Sequence, residues 1–205
     1  MALKANALTT VARLKNFLGI TANTYDTILE IIINAISDTL VNDCNRVFLK
    51  TAYTKELLNG SGNNQITIPN FPIDSSATFK LYSRSGSFGE ASWNEINGSD
   101  YRIDYDNGII TASFDFTLGT GNYAVDFTGG YDFDQSSKTL ESIGLSDLEL
   151  AVWKLCGDVF NERKGGGDIQ TVRLYNYSVT YMKNSKSDKD AVVQSILDNY
   201  TVPSF

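Results

Sequence analysis

Carboxylates in the middle of the chain are the first residues whose type and spacing suggest chemistry. Glu95, Asp100, Asp104 and Asp106 lie within a short acidic stretch. A glycosidase needs two such groups at a fixed separation across the bond that it cleaves. Nothing in the sequence fixes that separation, and any acidic β segment offers similar pairs. A carboxylate-based hydrolase is therefore an alternative that requires two of these groups in one cleft.

The chain has no histidine, which excludes Ser-His-Asp and Cys-His catalysis and any metal site that contains histidine. The motif "DYDNG", residues 104–108, resembles the start of a calcium loop, but Ile109 and Asp115 occupy the positions that require Gly and Glu. The motif "KGGGD", residues 164–168, follows a predicted helix and lacks the Gly-Lys-Ser/Thr of a phosphate loop. We expect no catalytic residue, no metal site and no cofactor.

Composition indicates a globular protein with a sizeable core. The chain has 205 residues, of which 42% are apolar and 20% are charged, and a chain of this size can bury about 70% of its unfolded surface. Cys44 and Cys156 are too few for a disulfide scaffold and are predicted to be buried, reduced thiols. The first 20 residues contain no continuous apolar run, so we expect no signal peptide, no membrane association and synthesis in the cytoplasm.

The charge is concentrated in the middle of the chain. Residues 51–134 contain four Lys or Arg and eleven Asp or Glu, a net charge of −7, which equals the net charge of the whole chain. An acidic surface repels phosphate groups, so general nucleic-acid binding is not expected there. A solvated, soluble surface explains the same charges.

Both ends of the chain show helical periodicity. Thr9 or Thr10 is the predicted N-cap of a first helix that ends at Gly19. A second, long helix is predicted from about residue 24 to Val47, with an apolar stripe of about seven turns. Ser146 and Glu149 have the spacing of a capping box for a third helix, and a short fourth helix follows residue 187.

The long helix has more apolar residues than one face requires. Ile31, Ile33 and Ala35 widen the stripe. A helix of this kind needs a deep core or a neighbouring subunit, so these three residues are predicted to form a subunit interface. Arg46, near the end of the helix, is predicted to have a structural role, because a guanidinium can bind helix-end carbonyls and a carboxylate together.

Alternating patterns predict strands between the helical ends. Asn107-Gly108 suits a two-residue type I′ hairpin turn, because both positions favour positive φ. About five to seven strands are expected to form an antiparallel sandwich or barrel. The predicted fold is α+β, with a helical bundle from residues 1–50 and 135–205 and a β module, residues 51–134, inserted between its parts.

Aromatic residues in this β module offer a second alternative function. A carbohydrate- or host-recognition module on a helical support would expose an aromatic platform. Strands also use aromatic residues for core packing, which is the favoured interpretation. The residues concerned are Tyr82, Phe88, Trp93, Tyr101 and Tyr105.

An ordered series of segments carries a resemblance to a known family. The series is "TTVARLKNFLGI", "LEIIINAISDTLVNDCNRVF", "NFPI", "DYRIDYDNGII", "VDFTGGYD" and "LSDLELAVWKLCGDVFNERKGGG". It is similar to the head–tail connector (adaptor, or head-completion) proteins of long-tailed bacteriophages. The segment Cys44-Asn45-Arg46, with Phe48 and the Gly-Gly-Tyr turn, contributes most to the resemblance.

The resemblance implies a structural virion protein without catalysis, located at the head–tail interface. Such proteins form a ring, usually a dodecamer, beneath the portal protein, and present a surface to the next tail-side connector or stopper protein. DNA passes through the ring without specific binding. The acidic charge suits a channel through which DNA slides.

The resemblance also implies roles for two further segments. The Gly129-Gly130-Tyr131 turn would end the last strand and lead the chain back to the helical bundle, with the Tyr131 ring against the bundle. The carboxy-terminal segment would bind the portal, with side chains whose burial awaits that partner. The predicted portal-docking residues are Tyr200, Val202, Pro203 and Phe205.

Overall fold

The chain folds into two units, one formed mainly by α-helices and the other by antiparallel strands. The computed structural model describes residues 2–85, 92–134, 138–163, 171–174, 177–180 and 186–202. Residues 1–44 and 133–201 form a helical unit, and residues 45–132 with 202–205 form a β unit. The α+β fold class predicted from the sequence is confirmed.

Four α-helices form the core of the helical unit. They are α1 (Val11–Leu18), α2 (Asp26–Asp43), α3 (Ser146–Arg163) and α4 (Lys186–Asp198). Helix α3 packs against the other three helices, and α1 also packs against α2. The fully buried side chains that they share include Leu14, Leu29, Ile33, Leu148 and Val152. None of the helices described is both long and apolar enough to cross a membrane.

The first helix has the predicted ends. The Thr10 hydroxyl accepts a hydrogen bond from the Arg13 N–H, which satisfies one of the donors that a helix start leaves open. Gly19 ends the helix at φ 66°, in the left-handed region that glycine adopts without a steric penalty.

The long helix ends earlier than predicted. Helix α2 stops at Asp43, whereas the apolar stripe suggested that it continues to Val47. Asn45 adopts φ 51°, which takes the chain out of the helix. The Val47 N–H then donates to Asn70 Oδ1 at 2.8 Å, rather than to a helical carbonyl.

The predicted capping box of α3 is wrong. Ser146 is already the first helical residue, and the Leu145 carbonyl accepts the first helical hydrogen bond, from the Glu149 N–H at 3.1 Å. Leu145 is therefore the N-cap. The Glu149 carboxylate does not return to the helix start and binds residues near α1, as described below.

The β unit contains two antiparallel sheets. One has the strand order β1-β7-β3-β4, and the other has the order β2-β6-β5. The strands are β1 (Thr51–Gly60), β2 (Gln65–Thr67), β3 (Lys80–Ser85), β4 (Ser92–Glu95), β5 (Tyr101–Asp104), β6 (Ile109–Ala112) and β7 (Gly119–Gly129). Side chains from both sheets form one apolar cluster, which includes Leu81, Val125, Ile66 and Ile110. The prediction was an antiparallel sandwich or barrel, and the two packed sheets correspond to the sandwich.

Strands β8 (Thr171–Leu174) and β9 (Tyr177–Thr180) form a separate hairpin near the carboxyl end. The sequence predicted extended structure here. In the described part of this segment, Val172 pairs with Val179 in an antiparallel register.

The longest strand pair contains a bulge. Thr51 pairs with Gly129, and the register shifts between Tyr53 and Glu56. Lys55 occupies the bulge at φ 53°, an unusual conformation for a residue with a side chain. The Lys55 N–H donates to Asp126 Oδ1 at 2.7 Å on the neighbouring strand, which stabilises the bulge.

The predicted hairpin exists, but its turn differs. Strands β5 and β6 pair with Asp104 opposite Ile109, so the loop has four residues rather than two. Asn107 does not adopt positive φ, as a type I′ turn requires, whereas Gly108 has φ 66°. The Asp104 carboxylate accepts from the N–H groups of Asp106 and Asn107 and so closes the turn.

Candidate interaction surfaces

The carboxylates that suggested hydrolysis have structural partners. Asp104 binds the backbone of its turn and the Asn107 side-chain amide, at 2.9 Å. These hydrogen bonds lower the pKa of the Asp104 carboxyl. Glu95 pairs with Lys80 at 2.9 Å. Within the described ranges, no group of acidic or cysteine residues has an arrangement that could hold a metal ion.

One face of α2 is uncharged and exposed. Ile31 is 48% exposed, and Thr27, Ala35 and Thr39 are exposed at spacings of four residues along the same side of the helix. We refer to these four residues as the α2 stripe. Ile33 is fully buried within the protein, because it faces the helical core. Of the three residues predicted for the subunit interface, Ile31 and Ala35 are therefore exposed and Ile33 is not. Thr27 and Thr39 lie on the same exposed side of the helix.

Arg46 lies in an aromatic cluster inside the β unit. It is 3% exposed, and its Nη2 donates to the Phe71 carbonyl oxygen. Its guanidinium carbon lies 4.2 Å from the ring centre of Phe71, 5.5 Å from that of Phe48 and 5.4 Å from that of Tyr131. The sequence predicted helix-end carbonyls and a carboxylate as partners, and the contacts of Arg46 include a loop carbonyl and three rings. We call this set the Arg46 cluster.

The two glycines of the Gly-Gly-Tyr segment have no room for a side chain. A Cβ on Gly129 would lie 2.0 Å from the Asn70 carbonyl oxygen. Gly130 has φ 102°, and a Cβ there would lie 2.8 Å from the Leu49 carbonyl oxygen. Strand β7 ends at Gly129, as predicted. The Tyr131 N–H donates to the Phe48 carbonyl at 2.7 Å, and the centre of the Tyr131 ring lies 5.4 Å from the guanidinium carbon of Arg46.

A buried carboxylate in the helical unit was missed by the sequence analysis. Glu149 is 1% exposed, and its Oε1 accepts from the Thr9 hydroxyl at 2.9 Å and from Arg13 Nε at 2.7 Å. The Trp153 indole N–H donates to the same Thr9 hydroxyl at 2.8 Å. The hydrogen bonds from Arg13 to Glu149 and to Glu141 raise the pKa of the Arg13 guanidinium. This network joins α3 to the start of α1.

Two of the predicted portal-docking residues are already buried. Tyr200 is 8% exposed and Val202 is 5% exposed. The Tyr200 hydroxyl donates to Asp147 Oδ1 at 2.7 Å, which fixes the end of α4 on the start of α3. The expectation that burial awaits a partner is therefore wrong for Val202. Pro203 and Phe205 lie outside the described residues.

The aromatic residues that suggested carbohydrate binding do not share one environment. Tyr82 is buried, and its hydroxyl donates to Asp126 Oδ2 at 2.8 Å. Tyr101 and Tyr105 instead line an open groove beside Phe79. Trp93 lies on β4, and Phe88 falls outside the described residues.

The architecture defines the class first: an α+β protein with a helical unit from both ends of the chain and a β unit from the residues between them. Comparison with protein families adds a second finding. Residues 8–89 match the model of the family described as Phage gp6-like head-tail connector protein. The match spans 82 of 205 residues and includes α1, α2 and strands β1–β3. It confirms the resemblance predicted from the sequence.

Comparison with solved structures adds a third finding. A chain from the neck of an empty GTA particle, computed with C6 symmetry, has a TM-score of 0.55 and 17% identity, covering 100% of this chain and 95% of that one. A chain from the virion of a native gene transfer agent (GTA) particle also covers 100% of this chain and 95% of that one, with 17% identity and a TM-score of 0.49. A chain from the neck of the native GTA particle, with C12 symmetry, covers 100% of this chain and 94% of that one, with 18% identity and a TM-score of 0.48.

No curated protein matches this chain significantly. The family match is limited to residues 8–89, and the C6 neck chain shares the fold of this chain.

Proposed function

We propose that this protein is a structural head–tail connector of a phage-like virion. In this proposal it forms a ring beneath the portal protein, continues the DNA channel, and joins the head to the next tail-side connector or stopper protein. The observation that carries the proposal is the match of residues 8–89 to the head–tail connector family. The protein then acts by assembly rather than by catalysis.

The contacts and burial of the candidate catalytic groups support a role without catalysis. The chain has no histidine, Asp104 closes a turn, and Glu95 pairs with a lysine. The Cys156 thiol is buried, and burial raises its pKa to about 12, which disfavours the nucleophilic thiolate.

The α2 stripe supports contacts between subunits of a ring. Ile31 and Ala35 expose apolar surface on an 18-residue helix without a charged residue between them along the stripe. Water-exposed apolar surface favours burial against a neighbour. Neighbouring subunits in the ring would therefore meet at this stripe.

The charge distribution supports passage of DNA without binding. Residues 51–134 have a net charge of −7. Acidic residues repel the phosphate backbone, so a channel that carries them would not retain DNA.

Imaging of the protein mixed with portal rings tests the proposal directly. We expect closed rings of this protein on the portal, seen by negative-stain or cryo-electron microscopy. Ile31→Asp should prevent ring closure, because it places a charge in the apolar contact. Leu118→Asp is the matched control, since Leu118 is 77% exposed and lies in the β unit. A stable dimer that does not bind the portal would contradict the proposal.

We propose that the carboxy-terminal residues beyond Val202 bind the portal. A chain truncated after Val202 keeps the buried contacts of Tyr200 and Val202 and so should melt like the full chain. It should lose portal binding in a pull-down. Undiminished binding would place the docking surface in the helical or the β unit.

A further inference from the structure

The dipeptide Asn-Gly occurs three times in the β unit, at residues 59–60, 97–98 and 107–108. This dipeptide can rearrange, because the glycine backbone nitrogen can attack the asparagine side-chain amide and glycine has no Cβ to obstruct the approach. The reaction requires a glycine N–H that is not engaged and a backbone that can rotate. The fold therefore determines which of the three copies is reactive.

The Asn59-Gly60 pair is held by hydrogen bonds on both residues. The Gly60 N–H, whose nitrogen would attack, donates to Asn122 Oδ1 at 2.8 Å. The Asn59 side-chain oxygen accepts from the Gly121 N–H at 2.9 Å. Gly60 is also buried, and a Cβ on it would lie 1.8 Å from the Thr117 carbonyl oxygen. The backbone here cannot rotate without breaking these contacts.

The Asn107-Gly108 pair is held in a similar way. The Gly108 N–H donates to the Asp104 carbonyl at 2.9 Å, and the Gly108 carbonyl accepts from the Ile68 N–H at 2.8 Å. The Asn107 side-chain nitrogen donates to Asp104 Oδ2 at 2.9 Å. Gly108 is buried. The attacking nitrogen and the amide that would leave are therefore both engaged.

The Asn97-Gly98 pair differs from the other two. Both residues are exposed, in the connection between β4 and β5. Within the part of the chain that the structure describes, the Gly98 N–H donates to no acceptor. Apart from its chain neighbours, no atom lies within 4 Å of the Cβ position of Gly98. The nitrogen is therefore available, and the peptide group that contains it has room to turn.

Few contacts resist the rotation that the reaction needs. The Asn97 backbone is extended, at ψ 132°, so its peptide group must turn before the Gly98 nitrogen reaches the side chain. Asn97 Oδ1 accepts from the Ser99 N–H at 3.1 Å, and the Asn97 carbonyl accepts from the Asp100 N–H at 2.9 Å. All of these residues are exposed, so water can replace the two hydrogen bonds at little cost.

We propose that Asn97 is a site of spontaneous deamidation, and that the fold protects Asn59 and Asn107 from the same reaction. A base in the solvent removes the Gly98 N–H proton, and the nitrogen attacks Asn97 Cγ. The N–Cγ bond forms, the Cγ–Nδ2 bond breaks, and the amide takes up a proton and leaves as ammonia. Water then opens the succinimide ring to aspartate or isoaspartate. This inference goes beyond the proposed function and does not depend on it.

Both products change the connection between β4 and β5. Each adds a negative charge to the net charge of −7 that residues 51–134 already have. Isoaspartate also routes the main chain through its Cβ, which inserts a methylene carbon between Ile96 and Gly98. Because the reaction requires only water and base, the converted fraction increases with the age of the molecule.

Peptide mapping of the folded full chain by mass spectrometry tests the proposal. In warm, mildly alkaline buffer, Asn97 should convert at least about tenfold faster than Asn59 or Asn107, because those sites must first open their hydrogen bonds. The rate at Asn97 should rise with pH, since base removes the Gly98 proton. No conversion at Asn97, or conversion of Asn59 or Asn107 at an equal or higher rate, would overturn the proposal.

The same chain unfolded in guanidinium chloride shows whether the fold sets the difference. The three sites should then convert at similar rates, since none keeps its hydrogen bonds. A difference as large as that in the folded chain would assign the selectivity to the neighbouring sequence and overturn the protection by the fold.

Gly98→Ala tests the route through the succinimide. The added Cβ should slow conversion of Asn97 because it hinders attack by the backbone nitrogen, whereas the open space around Gly98 allows the variant to fold. Isoaspartate should be found beside aspartate in the unchanged protein, by resistance to a protease that cleaves only before aspartate. An unchanged rate in Gly98→Ala, with aspartate as the single product, would indicate direct hydrolysis and overturn the proposed reaction.

Discussion

Arg13 and Glu149 form a two-point ion pair between α1 and α3. Arg13 Nε lies 2.7 Å from Glu149 Oε1, and Arg13 Nη2 lies 2.8 Å from Glu149 Oε2. The carboxylate is 1% exposed, and the Arg13 side chain is 26% exposed. A guanidinium in this bidentate geometry fixes orientation as well as distance. The pair therefore sets how the first helix lies against the third.

Arg13→Met should destabilise the protein strongly. The substitution leaves the Glu149 carboxylate buried without its cation, which typically costs about 3–5 kcal/mol. Urea unfolding followed by circular dichroism measures the loss. Arg13→Met with Glu149→Met should recover much of the stability, since both charges are then absent.

Glu141 supplies the control for this prediction. It is a second carboxylate partner of Arg13, but it is 63% exposed. Glu141→Gln should cost less than about 1 kcal/mol, as exposed ion pairs generally do. Equal losses for Arg13→Met and Glu141→Gln would contradict a special role for the buried partner.

Gly130→Ala should destabilise the β unit by about 3 kcal/mol, because positive φ and a close contact both oppose a side chain. The added Cβ would lie 2.8 Å from the Leu49 carbonyl oxygen, a backbone atom that cannot move freely. Gly98→Ala is the matched change, since Gly98 has open space around its Cβ position. Thermal melting should separate the two variants, and similar melting temperatures would refute the steric argument.

Arg46→Ala should lower the melting temperature, because it removes a buried hydrogen bond to Phe71 and the stacking with three rings. The loss should be about 3 kcal/mol. Arg46→Lys should recover little of it, since an ammonium group lacks the planar surface that stacks on the rings. Arg102→Ala, at an exposed site, should melt like the unchanged protein. An Arg46→Ala variant of normal stability that fails to join the portal would identify Arg46 as an interface residue.

Asp126→Asn should reduce stability at pH 7 and have less effect in acid. Burial opposes ionisation of Asp126, but hydrogen bonds from the Lys55 N–H and the Tyr82 hydroxyl prevail and lower its pKa. A lowered pKa contributes stability above the unfolded value of about 3.9, and this contribution is lost as the pH falls through the folded pKa.

Thermal melting at pH 7 and near pH 3 measures this effect. The difference between Asp126→Asn and the unchanged protein should be about 1 kcal/mol at pH 7 and should narrow at the lower pH. Asp115→Asn is the exposed control and should show no difference at either pH. A difference that grows in acid would mean that the pKa of Asp126 is raised rather than lowered.

Local patterns predicted the local features well. Thr10 and Gly19 mark the ends of α1 as their side chains and backbone preferences dictate, and the alternating residues around Asn107-Gly108 form a hairpin. The turn type was wrong because the Asp104 side chain binds the loop backbone, an option that the dipeptide alone does not reveal.

Features set by distant residues were not predictable from the sequence. Glu149 has the spacing of a helix cap, yet its partners Thr9 and Arg13 are about 140 residues away in the chain. Helix α2 was extended too far because its apolar stripe continues past the residue where Asn45 changes the backbone direction. Ile33 and Ile31 differ by two positions, and only the packing of neighbouring helices distinguishes the buried side chain from the exposed one.

The register between Thr51 and Gly129 has a consequence for how such proteins diversify. These residues begin and end the sheet-forming part of the β unit and pair directly, so their Cα atoms lie only about 5 Å apart. The segment between Thr51 and Gly129 can therefore change in length or be exchanged during evolution, while the distance between its two ends stays the same. Insertions between adjacent points are the ones that proteins tolerate best. Because its two ends pair with each other, the segment from Thr51 to Gly129 can be replaced as one unit.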